Sequence, residues 1–339
     1  SHYTGCISLK SIGDMPKLES MGQKCFVSCT TLETVGDLSS LKEIPYEAFD
    51  GCTSLVSIGD LNNVESIANE AFSNCSALEH VDKLDKITSI GQNAFKGCTA
   101  LKSIGSLHNL ETIGQGAFSG CSALEHVDDL YSLTRLEYDV FSHCVSLISV
   151  DCSDKLTAIG SSAFFGCKAL VSIGDLSNVT SIESSVFRGC IALKSIGNMP
   201  KLESIGMQCF MGCTALETVG DLSSLKEIPS ETFDGCTSLV SIGDLSNVTI
   251  IGSYGFNQCK KLTSIPNLGS LERVDQFAFS GCESLALLGN LRKLTSFGYS
   301  PFVNSPFHNC PNLVLEVLPD SAAEQYAKDY NMQYTYITE

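Results

Sequence analysis

A repeat solenoid of about fourteen stacked coils, mostly β or mixed α/β, is the fold class that three regularities predict. A cysteine recurs every 23 residues from Cys6 to Cys282, without one insertion or deletion. A phenylalanine stands three residues before it from Phe26 to Phe279; Tyr3 takes that place in the first unit. The pair returns as Phe307 and Cys310 after a longer gap. Between cysteines, apolar residues return at +3, +6, +9, +12 and +15, as at Leu32, Val35, Leu38, Leu41 and Ile44, followed by Ala48 and Phe49. A fixed period of roughly 20–50 residues marks a solenoid, in which each unit buries its apolar edge only against its neighbours.

An apolar step of three around a closed 23-residue circuit is neither a helix stripe nor a strand alternation. It describes a coil whose corners each turn one side chain inward. Two short strands per unit are expected, one within Leu55–Asp60 and one at Val64–Ile67, where β-branched residues favour extended backbone. Glycine at +7 followed by Asp (Gly36, Gly59, Gly220) predicts a tight turn after the first strand. The phenylalanine segment is expected as a turn or short helical piece, because Gly just before Cys stops a longer helix.

Equivalent side chains in successive coils lie about 4.8 Å apart. The 23-spaced cysteines should therefore form a column of parallel, buried thiols. Bridges would need their Cβ atoms turned toward each other. An occasional bridge is left open at the off-register Cys25, Cys152 and Cys209.

Two domains are read: the array over 1–313 and a C-terminal cap over 314–339. At the N-terminal edge Tyr3 begins inside a unit, so residues upstream are expected. The last unit takes in extra residues through Tyr299, Pro301, Phe302, Pro306 and Phe307. Ser321-Ala-Ala-Glu324 then reads as a capping box opening a helix to about Tyr330. Met332 to Ile337 alternates like a closing strand.

A longer repeat lies over the first. Residues 9–60 and 193–244 match at 43 of 52 positions, and the offset, 193 − 9 = 184, is eight units of 23. Outward-facing letters match too, which packing alone would not require. Recent duplication of a block explains this; two copies of one binding surface is the second reading.

Three pieces of the unit, Leu-x-x-Ile, Val-x-x-Ile-Gly and Ala-Phe-x-Gly-Cys (Ala94, Phe95, Gly97, Cys98), resemble leucine-rich repeats. More narrowly they look like the BspA-like repeats of bacterial surface proteins, over roughly residues 3 to 313. The resemblance implies a right-handed leucine-rich repeat array with a parallel sheet on one face. It also implies export or a cell-surface address, and adhesion or protein binding. It brings no catalytic motif with it.

A net charge of −17 weighs against nucleic acid and anionic membrane as partners. No run of about 18 apolar residues predicts a membrane span. No Gly-rich phosphate loop, HExxH or G-x-S-x-G elbow occurs, so neither enzymatic activity nor a cofactor or metal is expected. His80 and His126 occupy one position two units apart, about 10 Å by the coil spacing. That is too far to share an ion bound at about 2 Å, and they read as duplicated surface residues. The aspartates after the +7 glycine read as turn caps, or as one acidic edge. Asn74, Asn178 and Asn247 are glycosylation acceptors only in a eukaryotic secretory host.

Outward positions +4 and +5 are mostly Lys, Glu, Ser and Thr. Consensus gives way between His126 and Phe165, where Tyr131, Arg135 and Tyr138 replace smaller residues or Leu. Exposed aromatics and arginine are preferred interface anchors, which makes these three the candidate partner-binding residues. The function expected is a monomeric, non-catalytic, extracellular or cell-surface scaffold for a protein or glycan partner. A structural spacer or display stalk, and the targeting module of a larger protein, are the alternatives.

Overall fold

Each circuit must return the backbone to its start one coil further on, so straight segments stay short and hydrogen bonds run between coils. In the computed structural model, which describes residues 5–298 and 305–338, the straight segments are two-residue strands in nearly every coil. Tyr3, Tyr299, Pro301 and Phe302 lie outside the described residues. The chain forms two compact units, Ser1–Asp175 and Leu176–Glu339.

In the first unit the strands stand in two parallel columns. One runs through Ser11–Ile12, Thr34–Val35, Ser57–Ile58, His80–Val81 and Ser103–Ile104. The other runs through Glu43–Ile44, Ser66–Ile67, Ser89–Ile90 and Thr112–Ile113. Register follows the period, with Ser11 opposite Thr34 and Ile12 opposite Val35. Both expected strands are present, trimmed to Ser57–Ile58 and Ser66–Ile67. The second unit repeats the scheme, for instance through Ser195–Ile196, Thr218–Val219 and Ser241–Ile242. Parallel pairing is thus divided over two columns rather than gathered in one broad sheet.

The core of each unit is a column of phenylalanines. Phe49, Phe72, Phe95 and Phe118 are fully buried. Neighbouring rings lie nearly parallel, Phe95 and Phe118 at 5.3 Å and 3°. In the second unit Phe210 and Phe233 repeat this at 5.2 Å and 3°. Burial stabilises by about 1.5–3 kcal/mol per ring, and offset stacking adds about 0.5–1.5 kcal/mol per pair.

Beside it runs the cysteine column. The thiols of Cys75, Cys98 and Cys121 each donate to the carbonyl of the phenylalanine 26 residues earlier, at 3.1 Å. The same carbonyl accepts the backbone N–H of its own coil's cysteine, as Phe72 O does from Cys75. A ladder cysteine therefore fills a small apolar site and satisfies a second carbonyl lone pair. All the cysteines are free thiols, including Cys25, which is exposed, and Cys152 and Cys209, which are buried. Burial pushes the Cys98, Cys167 and Cys213 thiols up to about 12.

Glycine plays two different parts. Just before each 23-spaced cysteine from Cys29 to Cys282 the backbone is left-handed, at Gly97 (φ +72°) and Gly120 (φ +77°), or at Asn74 (φ +58°) and His143 (φ +60°) where glycine is missing. The phenylalanine segment is accordingly a run of turns. At +7, as in Gly36, Gly59 and Gly243, the reason is contact, not conformation. Gly59 is outside the left-handed region, and a Cβ on it would lie 2.4 Å from the carbonyl carbon of Gly36 in the coil before. The tight turn expected here comes later, at Ser39 and Ser40, where Asp37 Oδ1 accepts the Ser39 N–H at 2.7 Å. Asp221 does the same for Ser223 at 2.8 Å. These aspartates cap turns.

The C-terminal helix spans Ala322–Asp329 with Ser321 as N-cap, whose Oγ accepts the Glu324 N–H at 3.2 Å. The reciprocal bond of the capping box is displaced by one residue: Glu324 accepts from the Asp320 N–H at 2.7 Å. Gln333–Tyr336 closes the unit by pairing parallel with Val314–Val317. That pairing lets the Tyr336 hydroxyl donate to Glu324 at 2.6 Å, beside Lys328 at 2.8 Å.

Three outcomes follow for stability. Phe95→Ala should lower the unfolding free energy by about 3–5 kcal/mol, and Gly59→Ala should cost more than Gly97→Ala in chemical denaturation. Equal costs for the two glycines would contradict the close-approach account. Native thiol labelling read by mass spectrometry should be fast at Cys6 and Cys25, which are exposed, and slow at the buried column until the chain unfolds. Prompt labelling of Cys98 or Cys121 would refute the buried column.

The third concerns acid. Lys328 and then Tyr336 hold the Glu324 carboxyl at about 2, below its ordinary 4.5. A depressed folded pKa gives stability that is full above the unfolded value and lost as pH falls toward the folded one. Amide protection of residues 322–336, corrected for intrinsic rates, should fall between about pH 4.5 and 2. In Glu324→Gln that dependence should vanish.

Candidate functional site

Two successive coils lack the +7 glycine and carry Asp128 and Asp151 instead. Here the first-column strands lengthen, to His126–Leu130 and Ser149–Cys152. Their pairing shifts register between Val127 and Leu130, and Asp129 takes φ +66°. A bulge of this kind re-aims the side chains next to it. Leu130 and Cys152 stay buried, and Asp128 and Asp151 between the buried positions are exposed. Asp129 is held by Ser106, whose Oγ donates to its Oδ2 at 2.8 Å.

The three sequence-predicted residues occupy three stations of this one coil. Tyr131 lies in the turn after the bulged strand, 45% exposed. Asp129 first, with Asp151 and Asp128 behind it, pushes its phenol above the ordinary range. Arg135 stands in the second-column strand Arg135–Leu136, its Nε 3.2 Å from Glu137 Oε1. Tyr138 follows in the next turn, 44% exposed, with Asp139 raising its phenol. All three are surface groups with a carboxylate beside them. They do not converge on one carboxylate or one cavity.

Two more surface residues belong to this region. Ile148 and Val171, at +4 of the next two coils, are exposed and adjacent, the Val171 N–H donating to Ile148 O at 2.9 Å. The same position is Lys10, Glu33 and Lys102 in other coils but also Val56 and Val240, so an aliphatic residue here does not by itself set these coils apart. Elsewhere the outward positions pair across coils, as in Lys42–Glu65 and Lys102–Glu79, both at 2.7 Å. His80 and His126 act separately, each ring nitrogen within 3.0 Å of a serine hydroxyl one coil on, Ser103 and Ser149.

Among the described residues no group of three or more His, Cys, Asp or Glu could hold a metal ion. None of their helices is long and apolar enough to cross a membrane. A cleft of about 760 Å³ lies at the C-terminal end of the second unit, lined by none of the three predicted residues.

The family model described as "BspA type Leucine rich repeat region (6 copies)" matches residues 1–102, 88–217 and 203–314. A leucine-rich repeat protein of known structure from Bacteroides ovatus is 27% identical, with a TM-score of 0.69 over 97% of this chain and 92% of that one. A leucine rich cell surface protein from Faecalibacterium prausnitzii is 25% identical, with a TM-score of 0.46 over 78% of this chain and 85% of that one. Pneumococcal vaccine antigen PcpA is 17% identical, with a TM-score of 0.44 over 97% and 79%. No match was found among curated proteins. With the repeat matched from its first coil to its last, and the stacked parallel coils in place, the chain belongs to the BspA-type leucine-rich repeat family.

Proposed function

We propose that this chain is a non-catalytic, exported or cell-surface scaffold that binds a protein partner through the irregular coils of its first unit. The observation that carries the reading is a local exception. Most outward positions are small polar groups or Lys–Glu pairs, whereas in this one coil Tyr131 and Tyr138 stand exposed on either side of Arg135. Aromatic and arginine side chains supply most binding energy in interfaces, and paired surface charges supply little. Asp128, Asp129 and Asp151 make the surroundings of Tyr131 acidic, so the complementary patch on the partner is basic. In this reading residues 1–313 form the binding array and 314–339 its cap. Family membership supports the surface address. A structural spacer is the second reading, favoured by the regular Lys–Glu pairing elsewhere.

Surface plasmon resonance of the intact chain against host matrix proteins, then of the triple variant Tyr131→Ala, Arg135→Ala, Tyr138→Ala, tests this. A loss of at least about 2 kcal/mol toward a partner is expected, along with slower association at high salt. A folded triple variant with unchanged affinity moves the site elsewhere. Absence of binding to any matrix protein favours the spacer.

A further inference from the structure

The cleft at the C-terminal end of the second unit is independent of the surface just described. Its volume, about 760 Å³, falls inside the roughly 300–1,000 Å³ of small-molecule sites. Leu313, Met332 and Phe307 give it an apolar floor. One wall is Tyr330, half exposed, with one ring face stacked on Tyr326 at 4.4 Å and 28°. Tyr326 is itself stacked on Phe297 at 3.9 Å and 11°, touches Phe307 edge-on at 5.9 Å, and has its hydroxyl 3.0 Å from Ser305. A chain of rings thus fixes the plane of Tyr330 before anything binds. Its outer face has no ring upon it among the described residues.

The rest of the rim is planar and polar. Asn309, Asn331 and Gln333 line it with side-chain amides that make no hydrogen bond to the described residues. Glu283 adds a carboxylate, placed by Lys260 at 3.2 Å. An aromatic platform offers a flat apolar face; amides and a carboxylate around it offer in-plane donors and acceptors. A ligand that matches has an apolar ring face edged by hydroxyl groups. A purely apolar segment would bury those amides unpaired, at about 1–3 kcal/mol each. Glu283 is the one charged group in the lining and Lys260 already neutralises it, so nothing there draws a phosphorylated or acidic ligand. We infer that this cleft is a binding subsite for a neutral oligosaccharide, with a pyranose ring stacked on Tyr330 and its hydroxyls on Asn309, Asn331, Gln333 and Glu283.

The test uses the intact chain and three neutral probes, cellotriose, maltotriose and triacetylchitotriose, in saturation-transfer NMR titrations. At least one probe should bind, with transfer strongest to ring protons on one sugar face. Tyr330→Ala should weaken binding about tenfold or more, whereas Tyr330→Phe keeps the platform and should retain it. Gln333→Ala, at an exposed position, should weaken binding without moving the melting temperature and serves if Tyr330→Ala misfolds. The Tyr131/Arg135/Tyr138 triple variant should bind the sugar unchanged, so this site and the proposed protein surface fail separately. Binding of none of the probes, equal binding by Tyr330→Ala and the unmodified chain, or binding of adenosine in place of every sugar would overturn the assignment.

Discussion

Every side chain in a coil lies over its counterpart 23 residues earlier, and that stacking interval governs what each position tolerates. A planar ring repeated at this interval stacks on itself, as Phe95 does on Phe118 at 5.3 Å. A thiol is small enough to repeat without crowding and polar enough to donate to the carbonyl beneath it, as Cys98 does to Phe72 O. A hydroxyl would donate more strongly but would be costlier to bury. Where a +7 glycine sits directly over the coil before, as Gly59 does over Gly36, the interval leaves less room than a Cβ requires. The stack selects residues by thickness as much as by hydrophobicity.

The same interval explains where function can reside. Inward positions are committed, so variation that alters recognition has to appear outside or where the period breaks. Both kinds of break occur. In the first unit the strands after Cys121 and Cys144 lengthen and their pairing is bulged, and Tyr131 follows directly. In the second unit the period ends at Cys282, and the residues after Ser305, with the turn that follows the terminal helix, line a cleft. The first break lies on exposed turns and strand edges, where the proposed protein partner would meet it. The second is a recess, and recesses take small ligands.

What the sequence made legible was whatever repeats. The two strands, the phenylalanine column and the buried thiols are each read many times over, so a chance match at one position does not mislead. Turn chemistry sits one step away from its signal: Gly-Asp looks like the turn itself, but at Gly59 the glycine answers a contact 23 residues away and at Asp37 the aspartate caps a turn two residues later. Tyr131, Arg135 and Tyr138 were visible as departures from consensus, while their separation over three stations of the coil was not. The cleft was hidden for a different reason. It is assembled from Gln258, Glu283 and residues beyond 305, which share no period and meet only through the fold of the last coil.

The long duplication separates constraint from history. Between residues 9–60 and 193–244 some outward identities have a structural cause. Ser40 Oγ donates to Pro16 O at 2.5 Å, and Ser224 Oγ to Pro200 O at 2.6 Å, so these serines tie adjacent coils and replacing either would lose a bond. Asp37 and Asp221 cap the same turn. Val56 and Val240 have no such reason. Each is 42% exposed, on a strand edge where other coils carry Lys or Glu with equal ease. An exposed aliphatic retained in both copies gains nothing from packing and costs solubility. Copying of a block accounts for it without any selection on the surface, and the nine differences between the blocks fall at buried as well as exposed positions, such as Ala48 against Thr232, as drift after copying would place them.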